Sequence, residues 1–187
     1  MAGSGTGAAP LDAGYDPVEA AALLGRTPRV LDALLRGLPA AWCECDEGPG
    51  TWSARHVVGH LIHGEKSDWI PRAKQLLEHG ETRPWAPFDR FAQLRDAPRP
   101  LDEQLDEFAR LRRDNLAELA ALRLTPELLA RRGRHPSFGA VELRQHLATW
   151  VVHDLTHLAQ IERVMARRWQ GAVGPWQRYL RILGGRE

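Results

Sequence analysis

The amino-acid sequence predicts an all-α protein, a four-helix bundle with additional short helices. Two observations carry this prediction. Apolar residues recur at helical spacing in several long segments, and no segment shows the sustained alternation of a strand or the Asn-Gly turn of a hairpin. Four long helices joined by crossover connections bury their apolar faces against one another as a bundle.

The length and composition fit one domain. The chain has 187 residues, of which 43% are hydrophobic and 26% charged, which is ordinary for a globular protein with its own core. We expect residues 1–15 to form a disordered tail, because MAGSGTGAAPLDAG has neither the charged start nor the apolar centre of a secretory signal. Residues 16–187 are expected to form a single helical domain.

The first half of the domain is predicted from capping residues and prolines. A capping residue followed by proline begins a short helix over 16–25 and a long one over 27–37. Ser53 is expected to cap the second long helix, ARHVVGHLIHGEKSDWIPRAKQLLEHG, which Pro71 should bend or interrupt. The connection 81–100 holds four prolines, and its unusual length suggests that it packs over a site or crosses the domain.

The second half of the domain follows the same pattern. Leucines at helical spacing predict the third long helix over 101–124, and Thr125 begins a short one. The segment RRGRHPSFG, residues 131–139, is expected to be a loop. The fourth long helix is predicted over about 141–168, and a terminal helix over 176–183.

Charge and cysteine content exclude several classes of function. The net charge of +1 comes from 25 basic and 24 acidic residues without a basic block, which argues against nucleic acid as a partner. No apolar run approaches the ~20 residues of a membrane span. Cys43 and Cys45 are too close for an unstrained disulfide, which favours a reducing cytoplasmic location and leaves the role of this pair open.

Two of the long helices carry histidines on faces that can meet. On the fourth, the residues His146, Trp150, His153 and His157 follow a 4-3-4 spacing, which places them in one stripe beside the apolar face. On the second, His60 lies at the edge of the apolar face. His60, His153 and His157 are therefore expected to converge in the crevice between these two helices, at the edge of the bundle.

The other residues of the second helix favour His60 as the third member of this set. His56 and His63 point roughly opposite to it, and with His79 and His135 they are expected to be exposed. Gly64, one turn after His60, would leave room for a ligand or for a close approach of another helix.

Three neutral imidazoles are suitable ligands for Zn, Ni, Fe or Cu. Three protein ligands leave one coordination position open for water or a substrate, as in reactive metal sites. The competing interpretation is that the two histidines of the fourth helix serve only surface contacts or hydrogen bonds in the core. From spacing alone, an HxxxH pair on a helix more often makes surface contacts or hydrogen bonds in the core than it binds a metal.

Two segments carry a resemblance to a known family. WSARHVVGHLIHGEKSDWI, residues 52–70, resembles the second helix of the DinB/YfiT-like family of small bacterial four-helix proteins. HPSFGAVELRQHLATWVVHDLTHLAQI, residues 135–161, is similar to the fourth helix of that family, and the ending GPWQRYL also fits. The resemblance implies a bundle of the DinB/YfiT type in which the ligands of a divalent metal, most often Zn or Ni, are His60, His153 and His157.

The resemblance also implies what the protein does. Members are described as metal-dependent hydrolases, several use low-molecular-weight thiols such as bacillithiol, mycothiol or glutathione, and many form homodimers. The expected function is therefore a metal-dependent thiol-cofactor transferase or hydrolase acting on a small-molecule substrate, with transfer slightly preferred. The open metal position would either lower the pKa of a bound water or hold a thiolate. The alternative is a non-catalytic bundle that binds metal or a small ligand.

Two carboxylates lie on otherwise apolar helix faces and need a partner. Glu65 and Asp154 are expected either to accept hydrogen bonds from the metal-bound histidines or to pair with an arginine of a neighbouring helix. Gln160, three residues after His157, is interpreted as a surface residue.

Four residues are expected to shape a pocket beside the metal: His146, Trp150, Trp85 and Gly64. The connection 81–100, with Trp85, Phe88 and Phe91, is expected to cover the opening, and the alternative is that these aromatic side chains cap the core.

Overall fold

The computed structural model describes residues 14–185, and it confirms a four-helix bundle. Residues 1–13, where most of the expected disordered tail falls, lie outside the described residues. Tyr15, which the sequence assigns to that tail, packs against the core.

Between residues 14 and 80 the chain folds into five α-helices: α1 (Pro17–Leu24), α2 (Thr27–Leu35), α3 (Ala40–Cys43), α4 (Ala54–Ser67) and α5 (Trp69–His79). The second long helix of the prediction is divided into α4 and α5. Pro71 lies in the first turn of α5, where its missing N–H and its ring prevent α4 from continuing straight through. The predicted interruption is confirmed.

The second half contains α6 (Leu101–Ala121), α7 (Pro126–Leu129) and α8 (Leu143–Arg167). The predicted terminal helix over 176–183 is wrong. Two short 3₁₀ turns, Gly174–Tyr179 and Arg181–Leu183, take its place, because Leu180 between them is extended.

A two-stranded hairpin replaces the loop expected over 131–139. Strand β1 (Arg132–His135) pairs antiparallel with β2 (Gly139–Glu142), with Arg132 opposite Glu142 and His135 opposite Gly139. The prediction that the chain has no sheet is therefore wrong at this point. The strands have four residues each and no alternation of apolar residues, so neither the length nor the pattern of the sequence indicated them.

The core consists of two apolar clusters joined by a buried arginine. One cluster packs α2, α4 and α6 together, and the other packs α5 against α8. Arg112 of α6 lies between them, 4.9 Å from the ring centre of Phe108 in the first and 5.1 Å from that of Trp150 in the second. This arrangement sets α4 and α8, the two helices that carry the predicted metal ligands, side by side. None of the helices over 14–185 is long and apolar enough to cross a membrane.

Candidate metal centre

Three histidines from two helices meet at one point. His60 comes from α4, whereas His153 and His157 lie one turn apart on α8. The Nε2 atom of His153 is 3.2 Å from Nε2 of His60 and 3.1 Å from Nε2 of His157. The structure thus brings together the three residues that the sequence selected.

The spacing of these nitrogens suits a metal ion. Zn–N bonds of about 2.0–2.1 Å at tetrahedral angles separate two ligand nitrogens by roughly 3.3 Å, close to the two observed distances. The three ligand atoms lie within 4.8 Å of one another, and the group contains only imidazoles. Neutral donors do not compensate the charge of a bound divalent cation. A cation held in this way is a strong Lewis acid and would lower the pKa of a water or thiol bound as a further ligand.

Burial keeps these imidazoles neutral. Desolvation, with the charge of His157 as the next cause, lowers the pKa of His60 to about 4 and that of His153 to about 3. Desolvation also lowers the pKa of His157, although its hydrogen bond to Gln160 opposes the shift. At neutral pH the three side chains therefore offer lone pairs and no positive charge.

Gln160 determines which nitrogen of His157 faces the centre. Its Oε1 lies 2.8 Å from Nδ1 of His157. Because an amide oxygen only accepts hydrogen bonds, Nδ1 carries the proton and Nε2 presents its lone pair to the other two histidines. The interpretation of Gln160 as a mere surface residue is wrong. Its spacing of three residues from His157 on the same helix was the signal available in the sequence.

Aromatic side chains hold the imidazole rings from both sides. Trp52 packs against His60 with ring centres 4.8 Å apart and stacks on His157 at 6.3 Å. Trp69 meets His153 edge to face at 5.0 Å, and Phe88 meets His60 in the same way at 5.6 Å. These rings restrict the imidazoles to the observed orientations and reduce the access of water to them.

Glu65 and Asp154 bind an arginine and accept no hydrogen bond from the three histidines. Arg112 donates from Nη2 to Glu65 Oε1 at 2.8 Å and from Nη1 to Asp154 Oδ2 at 2.5 Å. All three side chains are at most 3% exposed. The sequence left open whether these carboxylates accept hydrogen bonds from the histidines or pair with an arginine, and the structure shows the ion pair. Asp154 also acts on the centre through its charge, which raises the pKa of His157 against the effect of burial.

The histidine cluster opens into a cavity of about 840 Å³. Of the predicted pocket residues, His146 and Trp85 line this cavity. Trp150 and Gly64 do not. Trp150 is fully buried and donates from Nε1 to Glu65 Oε1 at 3.1 Å. A Cβ on Gly64 would lie 3.1 Å from Nε1 of Trp69, so this glycine permits the close approach of Trp69, the residue that holds His153.

The connection 81–100 has both of the roles considered for it. Trp85 is 4% exposed and belongs to the core cluster of α5 and α8, and its backbone N–H donates to the Arg134 carbonyl of the hairpin at 2.9 Å. Phe88 and Phe91 line the cavity, and Phe91 is 48% exposed. The segment therefore caps the core at one end and borders the cavity at the other.

Two polar residues of the cavity gave no signal in the sequence. Asp68 and Arg72 line it and form an ion pair, with Asp68 Oδ1 2.9 Å from Arg72 Nη1. Arg72 also donates from Nη2 to the carbonyl of Ala86 at 2.8 Å. An Asp-Arg pair four residues apart on a helix usually lies in solvent, and only the break between α4 and α5 turns this one inward.

The remaining histidines and the cysteines are not part of the three-histidine cluster, although His135 lines the cavity. His56, His63, His79 and His135 are half-buried, so the expectation of full exposure is wrong. His56 completes the cap of α4 by accepting from the backbone of Ser53, which explains its burial. Cys43 borders a different cavity, next to Arg55 and Arg99.

Comparisons with known proteins agree with this architecture. The family model of the DinB superfamily matches residues 23–161, well over half of the chain. Among solved structures, the chain is similar to YfiT from Bacillus subtilis, described as a probable metal-dependent hydrolase with an unusual four-helix bundle topology. The two share 21% sequence identity with a TM-score of 0.71, over 88% of this chain and 93% of that chain. The sequence has no significant match among curated proteins.

Proposed function

This chain belongs to the DinB superfamily, and from its histidine cluster we propose that it is a divalent-metal-dependent enzyme acting on a small molecule. The observation that carries the proposal is the convergence of three Nε2 atoms on the wall of an open cavity. Imidazole donors favour zinc or nickel over magnesium or calcium, which prefer oxygen.

The residues of the centre each have a part in this proposal. A divalent metal held by three protein ligands keeps a position open, at which it acidifies a water or a thiol. His60, His153 and His157 would hold it, and Gln160 keeps the third imidazole in the correct tautomer. Trp52 and Trp69 shield the histidines from solvent, which strengthens every electrostatic interaction at the centre.

The preferred reaction is transfer of a low-molecular-weight thiol to an electrophile. Arg90 lines the cavity and offers positive charge to the carboxylates that such cofactors carry, whereas the charges of Arg72 and Arg163 are shared with Asp68 and Glu47. The volume lies within the ~300–1,000 Å³ usual for sites that enclose a ligand of cofactor size.

Hydrolysis is the second candidate. The observation in its favour is the description of the structurally similar YfiT as a probable metal-dependent hydrolase. The same three histidines would then serve to activate water, and the arginines would orient the substrate.

Metal analysis tests the common part of both reactions. Protein purified without a histidine tag and reconstituted with Zn or Ni should hold one metal per chain by elemental mass spectrometry. His153→Ala should lose most of it, whereas His79→Ala, a matched substitution away from the cavity, should retain it. A wild-type content near zero, or equal contents in both variants, would contradict the proposal.

Activity assays then separate the two reactions. Thiol addition to model electrophiles and hydrolysis of esters and amides should be followed with the metal-loaded and metal-depleted protein. Activity that survives complete metal removal contradicts both candidates. Stoichiometric metal binding without either activity would favour the non-catalytic alternative, a module that holds metal or a small ligand.

A further inference from the structure

Two carboxylates line the cavity, Glu47 and Asp68. Glu47 is bound by Arg163, whose Nη2 lies 2.7 Å from its Oε2, and by Arg167 at 3.4 Å. These arginines lower the pKa of Glu47, so it stays ionised and paired. Asp68 is 8% exposed and has Arg72 as its partner.

Asp68 occupies a position where a side chain ordinarily accepts a hydrogen bond from the backbone of the following helix. It is the N-cap residue of α5, yet its carboxylate accepts no hydrogen bond from the first turn of that helix. Asp16 and Ser53, the N-cap residues of α1 and α4, both accept such bonds. The backbone of Asp68 is in the right-handed helical region (φ −110°, ψ −77°), whereas those two N-caps are extended. The carboxylate is therefore available to the cavity and not used in capping.

Burial and the neighbouring arginine shift the pKa of Asp68 in opposite directions. Burial raises its pKa to about 6, and the charge of Arg72 only partly opposes this. The same cavity is lined by other titratable groups: the three histidines of the centre and His146 on α4 and α8, His135 of β1, Arg90 of the connection 81–100, and the pair of Glu47 and Arg163. Burial lowers the pKa of these histidines, so they add no positive charge near neutral pH. Arg72 is the positive charge in contact with Asp68.

The other buried carboxylates, Glu65 and Asp154, have no access to the cavity. Glu65 and Asp154 are both held by Arg112, and Asp154 also accepts from Thr27 Oγ1 at 2.6 Å. Neither lines the cavity. A group that moves protons needs access to the reactants, which leaves Asp68 as the suitable carboxyl among the residues that the structure describes.

We propose that Asp68 is the carboxyl group that accepts and returns the proton in the reaction of this cavity. The inference rests on the proposed function. In thiol transfer, the S–H bond breaks and its proton passes to the Asp68 carboxylate, while the sulfur electron pair forms the bond to the electrophilic carbon. The bond from that carbon to the leaving group breaks with its electron pair, and the leaving group takes the proton from Asp68. In hydrolysis the O–H bond of water replaces the S–H bond, and the balance is the same.

The test is the pH dependence of Asp68→Asn in the metal-reconstituted protein. We expect kcat/KM of the wild type to rise with pH and then level off, because the Asp68 carboxylate must be ionised to accept the proton and burial raises its pKa. Asp68→Asn should lose roughly 100-fold or more in kcat at pH 7, and this rise with pH should disappear. Asp68→Glu should recover part of the rate, and Glu118→Gln, an exposed carboxylate outside the cavity that pairs with Lys74, should keep the wild-type profile.

Three measurements besides activity separate proton transfer from a structural role. Metal content and near-UV circular dichroism of Asp68→Asn should match those of the wild type. Titration of the aspartate carboxyl carbons by NMR should show a signal that titrates well above the ordinary range and is missing in Asp68→Asn.

The outcomes distinguish this inference from the proposed function. If the wild type has metal-dependent activity and Asp68→Asn keeps its rate and pH profile, the role of Asp68 is overturned and the proposed function stands. A variant that loses metal or near-UV signal along with activity would show that Asp68 is structural. If the wild type has no metal-dependent activity, the proposed function fails, and the role of Asp68 fails with it.

Discussion

At the scale of single residues, hydrogen bonds decide how the imidazoles of His157 and His146 are presented. The bond between His157 Nδ1 and Gln160 Oε1 is 2.8 Å long and selects the tautomer with a lone pair on Nε2. His146 is held differently, with Nε2 3.0 Å from the carbonyl of Trp69. Since a carbonyl only accepts, Nε2 of His146 carries the proton, and this nitrogen is not available to a metal.

Replacing Gln160 should weaken metal binding without removing a ligand. We expect Gln160→Ala to lower the affinity for Zn about 10-fold, because His157 loses the acceptor that fixes its tautomer. Competition with a chromogenic chelator measures this change. Thr156→Ala is the matched control, since Thr156 also lines the cavity but donates to its own helix at the Val152 carbonyl. Equal affinities in the two variants would rule out the orienting role.

His146 should make the stability of the metal-free protein depend on pH. Burial lowers its pKa to about 4 in the folded state, against an ordinary value of 6.5. The unfolded chain therefore binds more protons between these values, so the folded state loses stability as pH falls from about 6.5 to about 4. In urea denaturation of metal-depleted protein, His146→Gln, which keeps a donor for the Trp69 carbonyl, should lose less stability across this window. A loss equal to that of the wild type would contradict the assignment.

The residues that could be predicted from the sequence are those whose role follows from helical geometry. His60, His153 and His157 were selected by the faces of two helices and by resemblance to a family, and the structure places them together. Asp68 could not be identified in this way, because its inward position depends on where α4 ends and α5 begins.

At the scale of helices, Arg112 joins three of them through buried charge. It lies on α6 and binds Glu65 of α4 and Asp154 of α8, and it donates to the Leu24 carbonyl at 2.8 Å. Its side chain is 1% exposed. The two helices that carry the histidines are thus fixed to a third helix at the same level of the bundle.

Removing Arg112 should be strongly destabilising. Arg112→Ala leaves two carboxylates buried without a cation, and breaking a buried pair in this way costs about 3–5 kcal/mol of the free energy of unfolding. Arg110→Ala, on the same helix, removes an exposed pair with Asp114 and should cost less than about 1 kcal/mol. Denaturant unfolding of both variants checks the contrast, and similar costs would show that Arg112 is not the link described.

The hairpin shows where prediction from the sequence ends at this scale. Its strands are stabilised by contacts from distant parts of the chain, such as the hydrogen bond from Trp85 N–H to the Arg134 carbonyl. A Cβ on Gly133 would lie 2.9 Å from Leu76, so the strand lies directly against α5. Pairing of this kind leaves no periodic pattern in four residues, whereas Pro71 marked the break between α4 and α5 directly.

The connection 81–100 should control access to the cavity through Phe88. Phe88 lines the cavity and packs against His60, so Phe88→Ala should change substrate KM several-fold while leaving metal content intact. Trp85→Ala should instead lower the melting temperature, because Trp85 is 4% exposed and part of the core. Kinetics, metal analysis and thermal unfolding of the pair test this division. A destabilised Phe88→Ala with unchanged KM would place both residues in the core.

At the scale of the whole molecule, a metal ion would connect segments that are far apart in the chain. His60 and His153 are separated by 93 residues and lie on different helices, α4 and α8. An unfolded chain does not hold these imidazoles in place. Binding of a metal at this site would therefore be linked to folding of the bundle as a unit.

Metal should stabilise the bundle by mass action. At a free Zn or Ni concentration about 1,000-fold above Kd, binding to the folded state contributes about 4 kcal/mol, which for a domain of this size raises the melting temperature by roughly 10 °C. Differential scanning fluorimetry with and without metal measures the shift. His60→Ala should abolish most of it, even if its own starting temperature differs, because one ligand of the α4–α8 link is gone. His79→Ala, a half-buried histidine at the end of α5, should show the full shift. Equal shifts in the two variants would mean that the stabilising metal binds elsewhere than between α4 and α8.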